Sequence, residues 1–278
     1  MATVMKPGWR ARLELGFERR AVGAAFRTVP TRRRHHGPLV VQRPFHPEGE
    51  VCHSLILHPP GGLVGGDELD LEVDCAPGAH ALLTTPGAAK CYRSAGPPVR
   101  VRQRLRLAPG AALEWLPQEV IVYDGAAFDS VTCIELARGA RFAGWEIACL
   151  GRPAAGEAFA RGRCRQRVEV RCDGEPLLVE RLDAAGAAPL LYEPWGLAGA
   201  PVSALLLAVP ADAALRDAAL AAGGDDPGFS ATLLDEVLAV RYLGAGARGA
   251  RACLEAVWEA IRPPLFGRAP DRPRIWNT

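Results

Sequence analysis

Hydrophobic and polar positions alternate with period two along several stretches of this chain. In Val99–Leu107 four arginines hold the even positions, and Val99, Val101, Leu105 and Leu107 hold odd ones. Successive side chains of a strand point to opposite faces, so one face is apolar and the other basic. Arg163–Cys172 repeats the pattern: Arg163, Arg165, Arg167, Glu169 and Arg171 share one face, and Cys164, Val168, Val170 and Cys172 share the other. Asp173-Gly174 then turns the chain toward Leu177-Leu178-Val179, a hairpin signal. The arginine rows read either as solvated faces or as a docking surface for an acidic partner.

Three segments resemble one another, each a strand, a glycine turn and a strand. Their turn glycines are Gly78, Gly110 and Gly139, about 30 residues apart. A fixed period suggests stacked β units, each burying its apolar face on the next. Ordinary hairpins with common turn chemistry would give the same three copies. Helical spacing comes late. An Ala-rich helix is expected over 211–222, ended by Gly223-Gly224, and a second over 248–262, with Ala250, Cys253, Leu254, Val257 and Ile261 on one stripe. Pro263-Pro264 should stop that helix, and the tail beyond it reads as extended. The pattern predicts one mainly-β domain over 1–278 with a solenoid-like, β-helical course of many short strands and a few C-terminal α-helices.

Composition narrows the function classes. Net charge is +2, from 33 basic and 31 acidic residues, which gives no case for nucleic acid. The longest strongly apolar run, 204–209, is far short of the roughly 20 residues of a membrane helix. The N-terminus has no signal-peptide core, so a soluble, cytoplasmic protein is expected. Its eight cysteines show no Cys-x-x-Cys spacing and read as free thiols.

Catalytic signals are thin. Gly-x-Ser-x-Gly and dinucleotide fingerprints are absent. All six histidines lie within the first 80 residues, which invites a metal hypothesis. However, Cys52 and His58 stand about 20 Å apart on one extended strand. The carboxylates Glu114, Glu119, Asp124, Glu146 and Glu157 read as the polar halves of alternating strands, with acid–base chemistry as the rival reading. The most constrained segment is His58-Pro59-Pro60-Gly61-Gly62-Leu63-Val64-Gly65-Gly66-Asp67, four glycines and two prolines ending on one carboxylate. It is no phosphate cradle, because Asp67 stands where Gly-Lys-Ser/Thr would continue.

That loop resembles the signature of the urease accessory protein family UreD, also called UreH. The blocks Thr84–Ser94, Trp115–Glu119, Gly151–Glu157, Val240–Gly244 and Arg272–Trp276 are similar to further family blocks, in family order. Residues 1–45 match loosely. The resemblance implies a mainly-β scaffold that binds the urease apoprotein and recruits UreF. Through UreF it reaches the GTPase UreG, so that nickel enters the urease site. It implies no catalytic residues and no tightly bound cofactor, only weak or transient Ni²⁺. Asp67, with His58 positioning the loop, becomes a candidate for the nickel path, while satisfaction of backbone N–H groups by Asp67 stays an equal reading. Lys90, Tyr92, Arg93, Arg274 and Trp276 become candidate partner contacts, and self-docking of the tail around Trp276 stays open. Cys91 stands where the family usually carries another residue and is discounted as a ligand. Two other readings remain: a metal-dependent enzyme on a β scaffold, with a cleft joining His53, His58 or His80 to carboxylates, and a β-solenoid adaptor without metal handling.

Overall fold

The alternating stretches stack side by side as successive coils. The computed structural model describes residues 8–277. An N-terminal hairpin, β1 (Arg10–Val22) and β2 (Ala25–His36), precedes the short β3 (Val40–Val41) and β4 (Cys52–Leu57). One coil then contains β5 (Glu68–Cys75), β6 (His80–Thr84) and β7 (Ala89–Cys91). The next contains β8 (Val99–Leu107), β9 (Ala112–Leu116) and β10 (Val120–Val122), and a third β11 (Ala127–Leu136) and β12 (Arg141–Leu150). A hairpin of β13 (Arg163–Cys172) and β14 (Glu175–Ala185) leads to β15 (Val202–Val209) and α1 (Ala213–Gly223). The described chain closes with β16 (Phe229–Leu234), β17 (Val237–Gly244), α2 (Ala247–Phe266) and a short 3₁₀ turn at Arg274–Asn277.

Within each wall the coils run parallel. β1, β5, β8, β11 and β13 form the centre of a seven-stranded sheet, with antiparallel β2 and β14 at its edges. β4, β6, β9 and β12 form the parallel centre of a ten-stranded sheet, extended by antiparallel β3 on one side and β15, β17 and β16 on the other. β7 and β10 make a narrow third side, with β10 beside β12. The three glycine turns therefore pass the chain from one sheet to the other. Gly78, Gly110 and Gly139 have φ of 71°, 70° and 78°, the left-handed region that an L side chain avoids. The turns stack in turn: Ala112 N–H donates to Ala79 O at 2.8 Å and Arg141 N–H to Ala111 O at 2.8 Å. The 30-residue period is thus a solenoid period, and the hairpin reading of these three copies is corrected. The Asp173-Gly174 turn is a true hairpin, and both residues have positive φ, 49° and 87°.

Stacking also explains the arginine rows. Glu68, Asp70, Glu72 and Asp74 on β5 are in register with Arg100, Arg102, Arg104 and Arg106 on β8. Arg100 meets Glu68 at 3.2 Å, Arg106 meets Asp74 at 2.9 Å, and Arg104 reaches Glu135 on β11 at 3.6 Å. The β8 row is a neutralised ladder, so it offers no unopposed basic surface to an acidic partner. Exposed pairs of this kind contribute roughly 0–1 kcal/mol each. Their larger effect is on register, because a slip of one residue would reverse the buried and solvated faces.

The centre of the second sheet is buried on both faces. β6 and β9 have no exposed position. One face meets the first sheet, and the other is covered by α1 and α2 through Leu82, Leu116, Trp145, Leu254, Trp258 and Ile261. Glu114 of β9 is fully buried on this helix side. It accepts from His80 Nε2 at 2.8 Å, Trp258 Nε1 at 2.7 Å and Arg262 Nε at 2.9 Å. Arg262 also donates to Glu48 at 2.7 Å, and Glu48 meets His53 Nε2 at 2.7 Å. Burial alone would raise the Glu114 carboxyl; His80 and Arg262 instead hold it well below the usual carboxylate range. The reading of Glu114 as the polar half of a solvated strand is corrected, since this strand has no solvated half.

Helix α2 continues through Pro263 and Pro264 to Phe266 and ends on Gly267 at φ 69°. Proline fixes a φ that suits a helix and costs its N–H bond. The bond loss is outweighed here by burial of Leu265 and Phe266 and by the tie of Arg262 to Glu114. Stability should reflect these assignments. Glu114→Gln leaves buried Arg262 with Glu48 as its remaining counter-charge and should cost about 3 kcal/mol. Arg102→Gln on the open ladder should cost under about 1 kcal/mol. Urea unfolding measures both, and equal losses would refute the network's structural weight.

Candidate functional site

At the end of the coils opposite the glycine turns lies the loop 58–67. Gly61 and Gly66 take φ of 74° and 92°. Gly62 is packed against Tyr92 so tightly that a Cβ would lie 2.1 Å from its ring, and a Cβ on Gly65 would lie 1.9 Å from Ser94 Oγ. The glycines therefore serve close packing as well as backbone conformation. Leu63 N–H donates to Lys90 O at 2.7 Å, and Tyr92 N–H donates to Leu63 O at 2.8 Å. These bonds tie the loop to the coil that follows.

Asp67 is buried, and its two oxygens have separate backbone donors. Oδ1 accepts from Trp9 N–H at 2.8 Å and Oδ2 from Val64 N–H at 2.9 Å. The carboxylate clamps its own turn and anchors the start of the described chain. Asp124 performs a related task in the loop before β11, accepting from Ala160 N–H at 3.0 Å and Arg161 N–H at 2.7 Å. The Arg161 guanidinium hydrogen bond holds the Asp124 carboxyl below its ordinary range.

His58 is half-buried. Burial lowers its pKa and the nearby Asp67 charge only partly opposes this, so the imidazole is neutral at pH 7. A neutral imidazole can bind a divalent cation. His58 lines a cavity of about 330 Å³ between the two sheets, and Lys90 sits on the same wall. Asp67 is not a lining residue; it acts on His58 through its charge.

The cavity interior is polar in one band. Gln103 of β8, Ser130 of β11 and Gln166 of β13 face Trp115 of β9 and Glu146 of β12 across it. Gln103 Oε1, Ser130 Oγ and Trp115 Nε1 are buried and have no hydrogen-bond partner among the described residues. Glu146 accepts from Thr132 Oγ1 at 2.5 Å and Gln166 Nε2 at 3.1 Å. Glu146 is half-buried and borders both this cavity and a smaller one beside Thr132 and Trp145. Burial raises its pKa to about 7 against the opposing Thr132 bond. The alternation pattern assigned none of this band to a site. The signal was present as polar interruptions of apolar rows: Gln103 breaks the run from Val99 to Leu107, and Gln166 that from Cys164 to Val170.

The candidate partner residues separate into two places. Lys90, Tyr92 and Arg93 are exposed at the loop end, where Tyr92 packs edge-on against Tyr123 at 5.1 Å. Trp9 and Val64 are exposed close by, joined through Asp67. Arg274 is exposed on the far side, over the helical layer. Trp276 is buried: its indole N–H donates to Thr84 Oγ1 at 2.9 Å, and its ring packs on Trp145 and Trp258 at 5.6 and 5.8 Å. The tail docks on its own chain as a 3₁₀ turn, and the extended reading is corrected.

Of the histidines weighed as metal ligands, His80 is committed to Glu114, and His53 lies with Glu48 and Asp271. The ligand atoms of that trio fall within 4.8 Å of one another. The same Glu48 oxygen accepts from Arg262, which puts a fixed positive charge against any cation there. Among the described residues no helix is long and apolar enough to cross a membrane, and all eight cysteines are free thiols.

Comparison with known proteins identifies the family. The family model described as UreD urease accessory protein matches residues 10–277, so it includes most of the N-terminal stretch that resembles the family only loosely by motif. Urease accessory protein UreD of Alkalilimnicola ehrlichii is 52% identical, over all of this chain and 94% of the relative. The protein of the same name from Azoarcus sp. is 50% identical over 98% of this chain and 95% of its own length. That of Klebsiella aerogenes is 45% identical over the full length of both.

Glu146 gives a pH signature. The unfolded chain releases this proton near its ordinary pKa of 4.5, whereas the folded chain keeps it until about 7. Stability contributed by this group is therefore complete below about 4.5 and lost as pH rises to about 7. Glu146→Gln removes that slope and should gain on the order of 2–3 kcal/mol relative to the parent between pH 4.5 and pH 8. Denaturant unfolding across that range measures it; parallel curves for the two proteins would show that Glu146 is not held neutral.

Proposed function

The chain belongs to the UreD family of urease accessory proteins, and we propose that it is a non-catalytic cytoplasmic scaffold for nickel delivery in urease maturation. In this reading it binds the urease apoprotein and recruits UreF, and through UreF the GTPase UreG. The observation that carries the nickel part is the cavity between the sheets. Three of its buried polar atoms, Gln103 Oε1, Ser130 Oγ and Trp115 Nε1, lack protein partners among the described residues, and a neutral imidazole, His58, stands on its wall.

The chemistry suits passage better than storage. A cation in transit needs oxygen and nitrogen groups that replace part of its hydration, held loosely enough for release. Gln103 and Ser130 offer neutral oxygens beside the Glu146 carboxyl in one band, and among the described residues no four-ligand cage of the kind that retains zinc or nickel surrounds them. Asp67 contributes charge near His58 while its oxygens stay on the two backbone amides. Copper outcompetes nickel for thiolates and imidazoles in solution, so an enclosed route protects the cargo. The exposed residues Trp9, Val64, Lys90, Tyr92 and Arg93 supply an aromatic and basic surface at the loop end for a partner.

Co-expression with urease subunits tests this reading. The double variant His58→Ala, Gln103→Leu should still co-purify with urease apoprotein and UreF. Urease activation at limiting nickel should fall at least fivefold and recover in excess nickel. Full activation at limiting nickel would refute the cavity as the path. Asp67→Ala strips the acceptor from two backbone amides and should destabilise the chain by about 1–3 kcal/mol per amide, visible as a lower thermal midpoint.

A further inference from the structure

The glycine-turn end of the coils carries a second cavity, of about 260 Å³, with a different character. It is lined by Arg19 of β1, Arg27 of β2, Arg141 of β12 and Arg268 beyond α2, against a single carboxylate, Glu50. Gly78 and Gly110 form part of its wall. Their left-handed conformation places no side chain there, which keeps the concavity open.

The four guanidiniums are poorly compensated. Glu50 is ion-paired with Arg268 and lies 4.0 Å from Arg19. Arg27 Nε donates to Gly49 O at 3.0 Å, and Arg27 has no ion pair among the described residues. Arg141 has no ion pair among the described residues, and its Nε is buried without a hydrogen-bond partner. This contrasts with the outer ladder, where each β8 arginine faces an acid. A buried, unpartnered donor on a charged group is costly. Positive charge gathered in a concave site with low-dielectric walls concentrates anions. The planar guanidinium fork matches oxyanions by paired hydrogen bonds.

We propose that this pocket binds a phosphate-type oxyanion, held by Arg141 and Arg27 and supported by Arg19 and Arg268. The site is separate from the cavity of the proposed nickel path and does not depend on it. Its ligand is either free inorganic phosphate or the phosphate of a small nucleotide. The pocket also reaches His80, whose Nε2 is bonded to Glu114, so an occupant would sit against the network that joins sheet and helix.

The full chain, exchanged into phosphate-free buffer, is titrated with inorganic phosphate and, separately, with ADP, against chloride at equal ionic strength. Thermal midpoint and calorimetric binding are recorded. Phosphate should raise the midpoint by several degrees and bind at one site per chain. Arg141→Gln and Arg27→Gln should each weaken binding at least tenfold, and Arg102→Gln on the outer ladder should leave it unchanged. Arg141→Gln should not lower the midpoint in phosphate-free buffer, because it removes an unpartnered buried donor; a purely structural Arg141 would lower it with and without phosphate alike. Tighter binding of ADP than of phosphate would assign the site to a nucleotide phosphate, and equal or weaker binding to the free ion. No midpoint shift with either probe, or an equal shift in both pocket variants and the parent, would overturn the proposal.

Discussion

Glu114 is a carboxylate with no access to water, and the packing of the molecule is arranged around its charge. A buried charge is tolerable only when its lone pairs are taken and a counter-charge is near. Here His80 supplies a bond from the adjacent strand, and Trp258 and Arg262 supply bonds from the helix across the sheet. Arg262 then reaches Glu48, which meets His53. One group thus fixes the placement of α2 on the second sheet and joins residues 214 positions apart in the chain. Apolar burial alone would hold the helix to the sheet and would tolerate sliding. The directional bonds allow one position. That position places Leu265 and Phe266 in the core and obliges the helix to run through two prolines.

Much of the coil architecture was legible because it is local and periodic. Alternation identified β8 and β13, and the glycines at 78, 110 and 139 marked the turns. What alternation alone left open was whether neighbouring strands pair with each other or with the next coil. The distinction rests on non-local hydrogen bonds, and a glycine turn serves either case. The acidic row of β5 carried the missing information: its spacing matches the arginine row of β8, which is the register of a parallel neighbour. The two-sided burial of β6 and β9 was less legible, since a short apolar run looks the same in a core strand and a buried helix.

The site was legible in its scaffold and illegible in its lining. Proline and glycine density located the loop 58–67, and the structure gives those glycines a steric reason in Tyr92 and Ser94. Asp67 was open between a path role and backbone satisfaction, and its two amide bonds show the second directly. The polar band of the cavity was masked because Gln103 and Gln166 sit in rows judged by their apolar majority. Trp276 was open between an interface and self-docking. An aromatic residue near a terminus suits an interface, yet the same properties let it close the chain's own core beside Trp145 and Trp258.

The two cavities differ in a way that follows from where each lies along the coils. Between the sheets, the polar band of the lining comes from strands, and parallel stacking repeats the same inward position from coil to coil. A polar residue tolerated at one such position makes a partner tolerable at the next: Ser130 is in register with Gln166 and Gln103 with Thr132, and Gln103 Oε1 and Ser130 Oγ keep no partner among the described residues. Such a row offers many weak contacts, the property a transient cation needs. At the turn end the repeat contributes glycines, bare backbone and Arg141, and the other arginines come from the N-terminal hairpin and the segment after α2. Convergence of that kind gives one concentrated positive site. Polar atoms thus gather in a band between the sheets, and positive charge gathers at the turn end.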